Sequence, residues 1–458
     1  MVSLRGQNNT FIDLVFVLVV SGFILLFASV IYNVVFHPLA DVPGPFWARA
    51  TGFPSWYHAK TGRRHIWLLE QFRAYGPRIR PEPNTVLFCH PDAYRDIYSM
   101  RSNVRRSQFY TAWKRDERDN TTLNTVDVAR HAQKRKLLNL CFTDASLHAA
   151  CEFTVKHVDR WLELMSEQLH DGDWSAPVDF SGKVDTLLFD ITGDLCFGKS
   201  FDVKEPGENI QKEVPHCITQ YMLFYYHFCR SPFLTLLNWL KPRDPVTDET
   251  AYDERELRAE SNLLIIAGSD TTAVSLSGIF FYLTGNPPKC DKLVREILAT
   301  FTSVDEIVYG PKLLSCTYLK ACIDEGATTT PPGTIFGTVA WANSRNRDHY
   351  GDDADVFRPE QWIADDTNSK KEVARLRSGF HPFSSGPGSC VGQKVAMAEM
   401  MIVLARTLFC LEVRRAPGST LGCAESDKDQ FHLVDAYISL RRGPEVQFRK
   451  RKGASDKC

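Results

Sequence analysis

The chain of 458 residues has no excess of charge of either sign. It carries 54 Lys and Arg residues against 55 Asp and Glu residues, which gives a formal net charge of −1. Because a nucleic-acid-binding surface depends on a concentrated positive field, this balance argues against nucleic acid as a partner. The hydrophobic fraction of 44% is enough for a sizeable core in one large domain or two smaller ones.

The 13 cysteines form no CxxC pair and no dense framework of closely spaced positions. Paired spacing is typical of structural zinc sites, and dense frameworks are typical of disulfide-rich secreted domains. The scattered cysteines therefore indicate a reducing compartment and argue against structural zinc. The sequence also lacks repeats, low-complexity segments and a second domain boundary.

Near the N-terminus, residues 14–35 are almost wholly apolar. As a helix they would be about 33 Å long, enough to cross the hydrocarbon core of a bilayer. A cleaved signal peptide is the alternative, but its apolar region is shorter and ends in a small-residue cleavage site, whereas a proline-rich linker at 36–48 follows here. Arg5 precedes the span while Arg49 and Lys60 follow it, so the positive-inside rule places the body in the cytosol.

A glycine-rich stretch at residues 383–392, FSSGPGSCVG, comes directly before a predicted helix. Cys390 thus lies where unpaired backbone N–H groups and the positive end of a helix dipole favour a thiolate. Gly386 and Gly392 let the backbone turn sharply and approach a flat ligand, whose face Phe383 can cover. A single thiolate of this kind suits haem iron. The alternative, a cysteine that only packs in a loop, leaves the spacing of these residues unexplained.

The pattern Phe-x-x-Gly-x-x-x-Cys-x-Gly resembles the haem-binding loop of the cytochrome P-450 superfamily. The chain as a whole resembles the membrane-anchored fungal members that tailor secondary metabolites. The resemblance implies a mainly α fold with a minor β portion, and haem as the cofactor with Cys390 as its axial metal ligand. One position departs from the family pattern, because Gly388 stands where an arginine usually meets a haem propionate.

The predicted parts of the chain are a short N-terminal segment at 1–13, a transmembrane anchor at 14–35, the linker at 36–48, a haem-binding monooxygenase domain at 49–450 and a basic tail at 451–458. A single-pass protein of the endoplasmic reticulum is expected, with the haem domain in the cytosol. Early in that domain, residues 78–80 and 85–89 predict a β-hairpin, and helical spacing of apolar residues predicts a helix at 147–169. Another helix is predicted at 393–409.

A long helix is predicted from about Asp253 to Thr284, between a capping-box-like start and the stop signal Gly-Asn-Pro-Pro. Its middle is apolar all round, which indicates a buried helix, yet it contains the polar run Ser-Asp-Thr-Thr at 269–272. Polar groups in a buried helix are costly unless they are used. A kinked core helix with satisfied hydroxyls is one interpretation of this run.

The run resembles the oxygen-activating segment of the same family, which favours a catalytic interpretation. Thr271 would open the backbone ladder and hydrogen-bond dioxygen or water. Asp270 would relay protons, and Gly268 would leave room for the ligand above the iron.

The basic segment at 131–138, HAQKRKLL, is predicted to be helical, with His131 and Arg135 on one face. It resembles the family helix in which Trp-x-x-x-Arg, or His-x-x-x-Arg in some members, precedes the haem. The resemblance implies that His131 and Arg135 clamp the haem propionates by charge-assisted hydrogen bonds. A solvated basic face is the alternative, and Lys134 and Arg130 are candidates to face the acidic surface of a reductase.

The buried ionic triad of the family is incomplete in this chain. Three residues after Glu325 stands Thr328 in place of arginine, and Gln361 occupies the position of the second arginine. Reducing a buried charge network to one carboxylate costs about 3–5 kcal/mol by analogy with broken ion pairs. Arg358 is a candidate substitute, although the sequence alone does not support that role.

Two stretches are shorter than the resemblance leads us to expect, one at 326–334 and one near 239–245. The family has several strands at the first place, including one that contacts substrate, and helices that roof the substrate pocket at the second. We therefore predict two internal deletions, through a wrong gene model or a decayed gene, in preference to a compact natural variant.

The resemblance implies a monooxygenase that inserts one oxygen atom of dioxygen into an apolar small molecule and releases the other as water. Because the sequence has no glycine-rich dinucleotide fingerprint, the electrons are expected from an NADPH-dependent flavoprotein reductase. A terpenoid, a polyketide and an alkaloid are all possible substrates of such an enzyme.

Two other functions stay open. A haem-thiolate desaturase or rearrangement enzyme is the first, and the presence of Asp270 and Thr271 argues mildly against it. An inactive, truncated or mispredicted remnant is the second, and the departures at Thr328, Gln361 and Gly388 support it.

Overall fold

The computed structural model describes residues 3–99, 106–107, 109–112, 114, 120–167, 169–170, 172–231, 254–328, 337–425 and 427–452. Its helices, labelled α1 to α18 in chain order, are Ser3–Ile31, Phe46–Ala50, Phe53–Lys60, Arg64–Tyr75, Pro91–Tyr98, Phe109–Ala112, Val128–Asn139, Asp144–Ser166, Phe180–Phe197, Val214–Cys229, Glu254–Gly285, Pro287–Thr300, Pro311–Leu314, Thr317–Thr328, Ala340–Asn343, Arg347–Tyr350, Lys370–Ser378 and Gln393–Cys410. Its strands, β1 to β8, are Arg78–Glu82, Thr85–Phe88, Val178–Asp179, Gly337–Thr338, Leu411–Arg415, Val434–Ala436, Ile438–Leu440 and Glu445–Lys450.

The described strands form three small sheets, with the strand orders β1-β2-β4, β3-β8-β5 and β6-β7. β1 and β2 pair antiparallel, with Arg78 opposite Phe88, so the predicted hairpin is present and its first strand runs two residues further than expected. The remaining regular structure is helical. The predicted mainly α fold with a minor β portion is therefore confirmed.

The core is built around α11, a helix of 32 residues. From Ala273 to Leu283 its apolar side chains are buried, and Phe280 packs on Phe180 of α9 with ring centroids 4.1 Å apart. α18 joins this core, since every residue from Ala398 to Cys410 is buried. A helix that is apolar all round belongs in the interior, which is where the sequence pattern places α11 and α18.

Three predicted helices are confirmed within a few residues. α11 runs from Glu254 to Gly285, α18 ends at Cys410, and α8 begins at Asp144 after Thr143, whose hydroxyl accepts a hydrogen bond from the Ser146 N–H. The N-terminal shift of α8 follows from this cap, because a threonine that satisfies a free N–H group starts a helix earlier than apolar spacing alone indicates.

The N-terminal apolar helix lies apart from the core. The span Ile12–Phe36 has a mean hydropathy of 3.0, and none of its most apolar window is buried. α1 continues as a π-helical turn at Tyr32–Phe36, and the backbone becomes extended at His37, directly before a proline. α11 also has the length and composition of a membrane-spanning helix, but half of its most apolar stretch is buried inside the domain.

Some of the sequence predictions fall outside the described residues. They are Asp253 as the capping residue of the long helix, the region near 239–245, and most of the shortened stretch at 326–334. The two predicted deletions therefore stay predictions.

Candidate functional site

The cysteine loop is closed by two backbone hydrogen bonds. The N–H of Cys390 donates to the carbonyl of Phe383 over 2.8 Å, and the N–H of Ser389 donates to the carbonyl of Gly386 over 3.1 Å. Gly392 then forms the N-cap of α18 with a φ of −82°. The loop thus presents Cys390 directly before the start of a long buried helix.

Two opposing effects act on the thiol of Cys390, which is free and exposed as a residue. Desolvation by the surrounding protein is the largest effect and raises the pKa of the thiol overall, whereas the N–H groups of Gly392 and Gln393 and the nearby Arg135 oppose it. These donors and the cation would stabilise the sulfur as a thiolate once a metal ion binds it.

Gly386 occupies a position that no other residue fits. Its φ is +60°, and a Cβ added there would lie 2.0 Å from the carbonyl oxygen of Tyr98 at the end of α5. The sharp turn predicted for Gly386 is therefore required by backbone conformation and by the close approach of α5. For Gly392 the geometry is less strict, since its added Cβ would make ordinary contacts with Phe142 and the Cys390 sulfur at 3.8 and 3.9 Å.

Three cationic or donor side chains meet beside this loop. His131 of α7 is buried, and its Nε2 has no hydrogen-bond partner in the part of the chain that the structure describes. Burial, Arg106 and Arg135 together lower the pKa of His131 to about 4. Arg135 also donates from Nη1 to the carbonyl of Ser389 over 2.6 Å, which ties α7 to the loop one residue before Cys390.

This cluster lacks an anion, and the haem propionates expected from the sequence would supply one. A carboxylate at His131 Nε2 would satisfy the unpaired atom and raise the pKa of His131, because it would oppose the desolvation that mainly lowers this pKa and the smaller effects of Arg106 and Arg135. The residues present therefore fit haem. Sequence analysis missed Arg106, because it lies in no recognisable motif and only the folded chain brings it to His131.

Lys134 and Arg130 do not form an exposed basic surface. Lys134 is fully buried and donates to Glu256 of α11 over 2.9 Å, and Arg130 donates to the other oxygen of the same carboxylate over 2.7 Å. The prediction that these two side chains face a reductase is wrong, because α11 needs them to neutralise a buried glutamate.

On α11, the side chains of the polar run at 269–272 contact different neighbouring elements. Thr271 is exposed and its hydroxyl donates to the carbonyl of Ala267 over 2.7 Å, as expected for a threonine that weakens the helical ladder. The next residue, Thr272, is buried and donates to Glu399 of α18 over 3.4 Å. Burial raises the pKa of Glu399 to about 8, so this carboxyl carries a proton at neutral pH.

Gly268 and Asp270 have partners on other elements. A Cβ on Gly268 would lie 3.2 Å from Thr192, so the glycine allows α9 and α11 to approach, and its role of making room for a ligand stays a prediction. The carboxylate of Asp270 accepts a hydrogen bond from Arg441 Nη1 over 2.8 Å. Asp270 is thus engaged elsewhere, and a relay through it requires a change of side-chain rotamer.

Hydrogen bonds from uncharged N–H groups surround Glu325, at the place where the family pattern has a buried ionic triad. Glu325 of α14 accepts bonds from the backbone N–H of Arg358 over 2.7 Å, from Gln361 Nε2 over 2.6 Å and from Trp362 Nε1 over 2.7 Å. The guanidinium of Arg358 pairs with Asp353 instead. Gln361 therefore takes over the donor function of the missing arginine without its charge, and Arg358 contributes through its backbone alone to the bonds of Glu325 described here.

Comparison with known proteins agrees with this geometry. The family described as Cytochrome P450 matches residues 230–327 and 325–428, the region that holds α11, the Glu325 network and the cysteine loop. The chain is similar to the cytochrome P450 family over this region, and to curated cytochrome P450 monooxygenases over most of its length. It is accordingly an enzyme of the monooxygenase type, and the family's cofactor is haem bound through a thiolate.

Curated relatives of this P450 come from fungi. Cytochrome P450 monooxygenase apf7 of Gibberella fujikuroi is 28% identical over 517 residues, which cover 92% of this chain and 95% of the relative. The monooxygenase poxM of Penicillium oxalicum is also 28% identical, with 93% of each protein covered. AMT3 of Alternaria alternata is 29% identical and covers 87% of this chain and 91% of its own length.

We expect Gly386→Ala to destabilise the P450 domain, because alanine would be forced into positive φ and against the Tyr98 carbonyl. Strain of this kind costs about 1–3 kcal/mol before the clash is counted. Urea unfolding measures the effect. Gly388→Ala is the matched control, since a Cβ there would meet nothing within 4 Å. Equal stability of the two variants would contradict this account of the loop.

We expect Glu325→Ala to lower the free energy of unfolding by more than about 3 kcal/mol, because it leaves three N–H donors without their acceptor at about 1–3 kcal/mol each. Arg358→Ala keeps its backbone N–H and loses an ion pair whose two side chains are 40% and 43% exposed, together with the 3.3 Å hydrogen bond from Arg358 Nη2 to Gln361 Oε1. It should therefore cost less than Glu325→Ala, about 1–2 kcal/mol. Chemical unfolding of both variants tests this. A large effect of Arg358→Ala would show that its guanidinium does replace the missing arginine.

Proposed function

We propose that this chain is a membrane-anchored haem-thiolate monooxygenase that oxidises an apolar small molecule of fungal secondary metabolism, of the terpenoid, polyketide or alkaloid class. The observation that carries the proposal is Cys390, held before the first turn of α18 beside a cluster that lacks only an anion. Haem bound there would supply dioxygen activation, which needs electrons from outside because the sequence has no dinucleotide fingerprint. An NADPH-dependent flavoprotein reductase is the proposed source.

The roles of the side chains follow from their positions. Cys390 would bind the iron, with Phe383, Gly386 and Gly392 shaping the loop around the haem. His131 and Arg135, joined by Arg106, would hold the propionates and fix the orientation of the ring.

Thr271 would hold a proton at Oγ1, which donates to the Ala267 carbonyl in this structure. Asp270 would replace that proton from solvent.

Support for the membrane localisation comes from exposed aromatic side chains near the anchor. In α2 and α3, Phe46, Trp47 and Phe53 are 53%, 67% and 52% exposed, and Phe224 of α10 is 64% exposed. α3 and α10 are joined by a hydrogen bond from Trp56 Nε1 to the His227 carbonyl. Aromatic side chains of this kind favour the interface of a bilayer. We place the domain, residues 49–450, on the cytosolic face of the endoplasmic reticulum behind the anchor at 14–35.

An inactive remnant is less well supported by the structure than by the sequence. The argument for a remnant depends on the lost arginines, but the three donors around Glu325 still satisfy its carboxylate. A desaturase or rearrangement enzyme would use the same haem site, and only product analysis distinguishes it from a hydroxylase.

We expect the expressed chain, reduced and exposed to carbon monoxide, to show the strongly red-shifted Soret band of thiolate-bound haem. Cys390→Ala should abolish the band because it removes the axial sulfur, whereas Cys423→Ala, on a partly exposed cysteine elsewhere, should leave it unchanged. Absorption spectroscopy measures both. Haem binding without the shift, or no haem at all in the unmodified chain, would contradict the proposed function.

We expect His131→Leu to weaken haem retention about tenfold, because it removes the donor at the propionate site. This is the effect of losing one charge-assisted hydrogen bond. The rate of haem transfer from the P450 to excess apomyoglobin measures it. Lys136→Ala, an exposed basic residue of the same helix, is the control. Unchanged transfer from His131→Leu would assign the buried histidine to packing.

A further inference from the structure

The last turn of the N-terminal apolar helix is bound by two arginines of the domain. Arg80 of β1 donates from Nη1 to the carbonyl of Asn33 over 2.8 Å, and Arg49 of α2 donates from Nη2 to the carbonyl of Val34 over 3.2 Å. Both carbonyls belong to the π-helical turn Tyr32–Phe36, after which the backbone is extended. The last carbonyls of a helix have no partner within the helix, so the two guanidinium groups satisfy acceptors that the helix itself leaves unpaired.

The same two side chains also bind the proline-rich linker. Nη1 of Arg80 donates to the carbonyl of Leu39 over 3.2 Å, and Nη2 of Arg49 donates to the carbonyl of Ala40 over 2.8 Å. Each guanidinium group thus bridges one carbonyl of the helix end and one of the linker. The linker turns back between them, since the N–H of Ala40 donates to the carbonyl of His37 over 2.8 Å. The segment that joins the apolar helix to α2 is therefore a bonded turn.

The position of Arg80 is itself fixed inside the domain. The residue is fully buried, and its Nε and Nη2 donate to the carbonyl of Pro83 over 3.0 and 2.8 Å, in the turn between β1 and β2. Its backbone N–H donates to the carbonyl of Pro43 over 2.7 Å. A Cβ added to Gly44 would lie 2.6 Å from the carbonyl oxygen of Arg80, so the linker packs against β1 more closely than any other residue at 44 would allow.

Two side chains of the apolar helix and its cap add further bonds to the domain. The amide Nδ2 of Asn33 donates to the carbonyl of Ala50 at the end of α2 over 2.9 Å. The ring Nε2 of His37 shares a hydrogen bond of 2.9 Å with Oδ1 of Asn84, in the turn after β1. Asn33 thus contacts α2 through its side chain and β1 through its backbone, which gives a partner to a polar residue at the end of an apolar span.

Guanidinium groups are favourable at this place for two reasons. The carbonyl end of a helix carries partial negative charge, and the apolar helix has no basic residue in its own last turn, so the domain supplies the cations. The bonds also lie at the edge of a region of low dielectric constant, where each is stronger than in water. A linker without such bonds would leave the domain free to tilt on the membrane.

We propose that Arg49 and Arg80 lock the apolar helix to the domain, so that the two move as one body and the domain meets the bilayer in a single orientation. This inference rests on the proposed membrane anchoring and specifies its geometry. The surface turned to the lipid is then the one that continues from the helix, where Tyr32 is 51% and Trp47 of α2 is 67% exposed. Aromatic side chains at that level suit the interfacial layer of a bilayer.

Proteolysis of the full chain in phospholipid vesicles tests the lock. Endoproteinase Asp-N cuts before Asp41, an exposed residue in the bonded turn, and this cut releases from the vesicle a fragment that begins at Asp41. A protease cuts an ordered turn only after the turn opens. We expect Arg49→Gln to speed this release about tenfold, because two carbonyls, one of them next to the cut, lose their charged donor.

Arg78→Gln is the matched control, since it removes an exposed arginine from the same strand as Arg80. It should leave the rate of release unchanged. Arg49 is only partly buried, so its variant tests the lock without disturbing the core, and thermal unfolding checks that the fold is kept. Equal rates for the unmodified chain and Arg49→Gln, or an equal increase with Arg78→Gln, would overturn the proposal.

Distances between the apolar helix and the domain give a second readout. Spin labels on unnatural amino acids at Leu25 of α1 and Lys136 of α7, both exposed, allow pulsed electron paramagnetic resonance of the chain in lipid nanodiscs. We expect one narrow distance distribution for the otherwise unmodified chain. The double variant Arg49→Gln/Arg80→Gln should give a distribution about twofold broader, because the linker then behaves as a free tether. A broad distribution before any arginine is changed would overturn the lock.

Flotation with vesicles separates failure of the lock from failure of the proposed anchoring. The unmodified chain and each arginine variant should float with the vesicles, because the apolar helix is intact in all of them. A chain that stays in the soluble fraction would contradict the anchoring itself. A chain that floats but shows a broad distance distribution would overturn the lock alone.

Discussion

A helix of 32 residues can cross the interior of a domain at low cost only if most polar groups along it find partners. In α11 these partners come from a different neighbour at each level, and among the described residues Glu260 Oε1 and Asp270 Oδ2 are buried without one. Glu256 binds two cations of α7, Asp270 binds Arg441 after the hairpin of β6 and β7, and Thr272 binds Glu399 of α18. These contacts offset the cost of burying the polar groups of α11, and they also fix α7, the hairpin and α18 relative to one another. Since α7 carries His131 and Arg135 and α18 begins beside Cys390, the relative positions of these candidate haem-binding residues depend on α11.

Where the chain departs from the family pattern, other side chains lie at or near the positions of the missing arginines. Gln361 and Trp362 donate hydrogen bonds to Glu325 where the family pattern has arginine, and the nearby charge of Arg358 also favours the carboxylate. Near the loop, Gly388 leaves the propionate site without its usual cation, and Arg106 lies against His131 from another segment. In both places the physical need is a hydrogen-bond donor at a given point, and more than one side chain can bring it there.

How far the fold could be predicted depended on whether a pattern was local. The hairpin at β1 and β2, the stop of α11 before Asn286 and the turn at Gly386 follow from short-range sequence signals, and the structure bears them out. Lys134 was wrongly expected at the protein surface, because basic residues lie on several faces of its helix. Nothing local reveals that Glu256, far along the chain, requires it.

The sequence by itself predicted the cysteine loop, the haem cofactor and an apolar helix long enough to span a membrane, because each is encoded by residues within one turn or one span. Tertiary structure decided which polar groups meet. The contacts of Arg441 with Asp185 and Asp270 join residues 256 and 171 positions apart. The physical reason is that a buried charge pairs with a partner that the packing of the helices brings near it. Packing is set by the apolar faces of the helices. The pattern of apolar residues therefore does not predict which polar groups will pair.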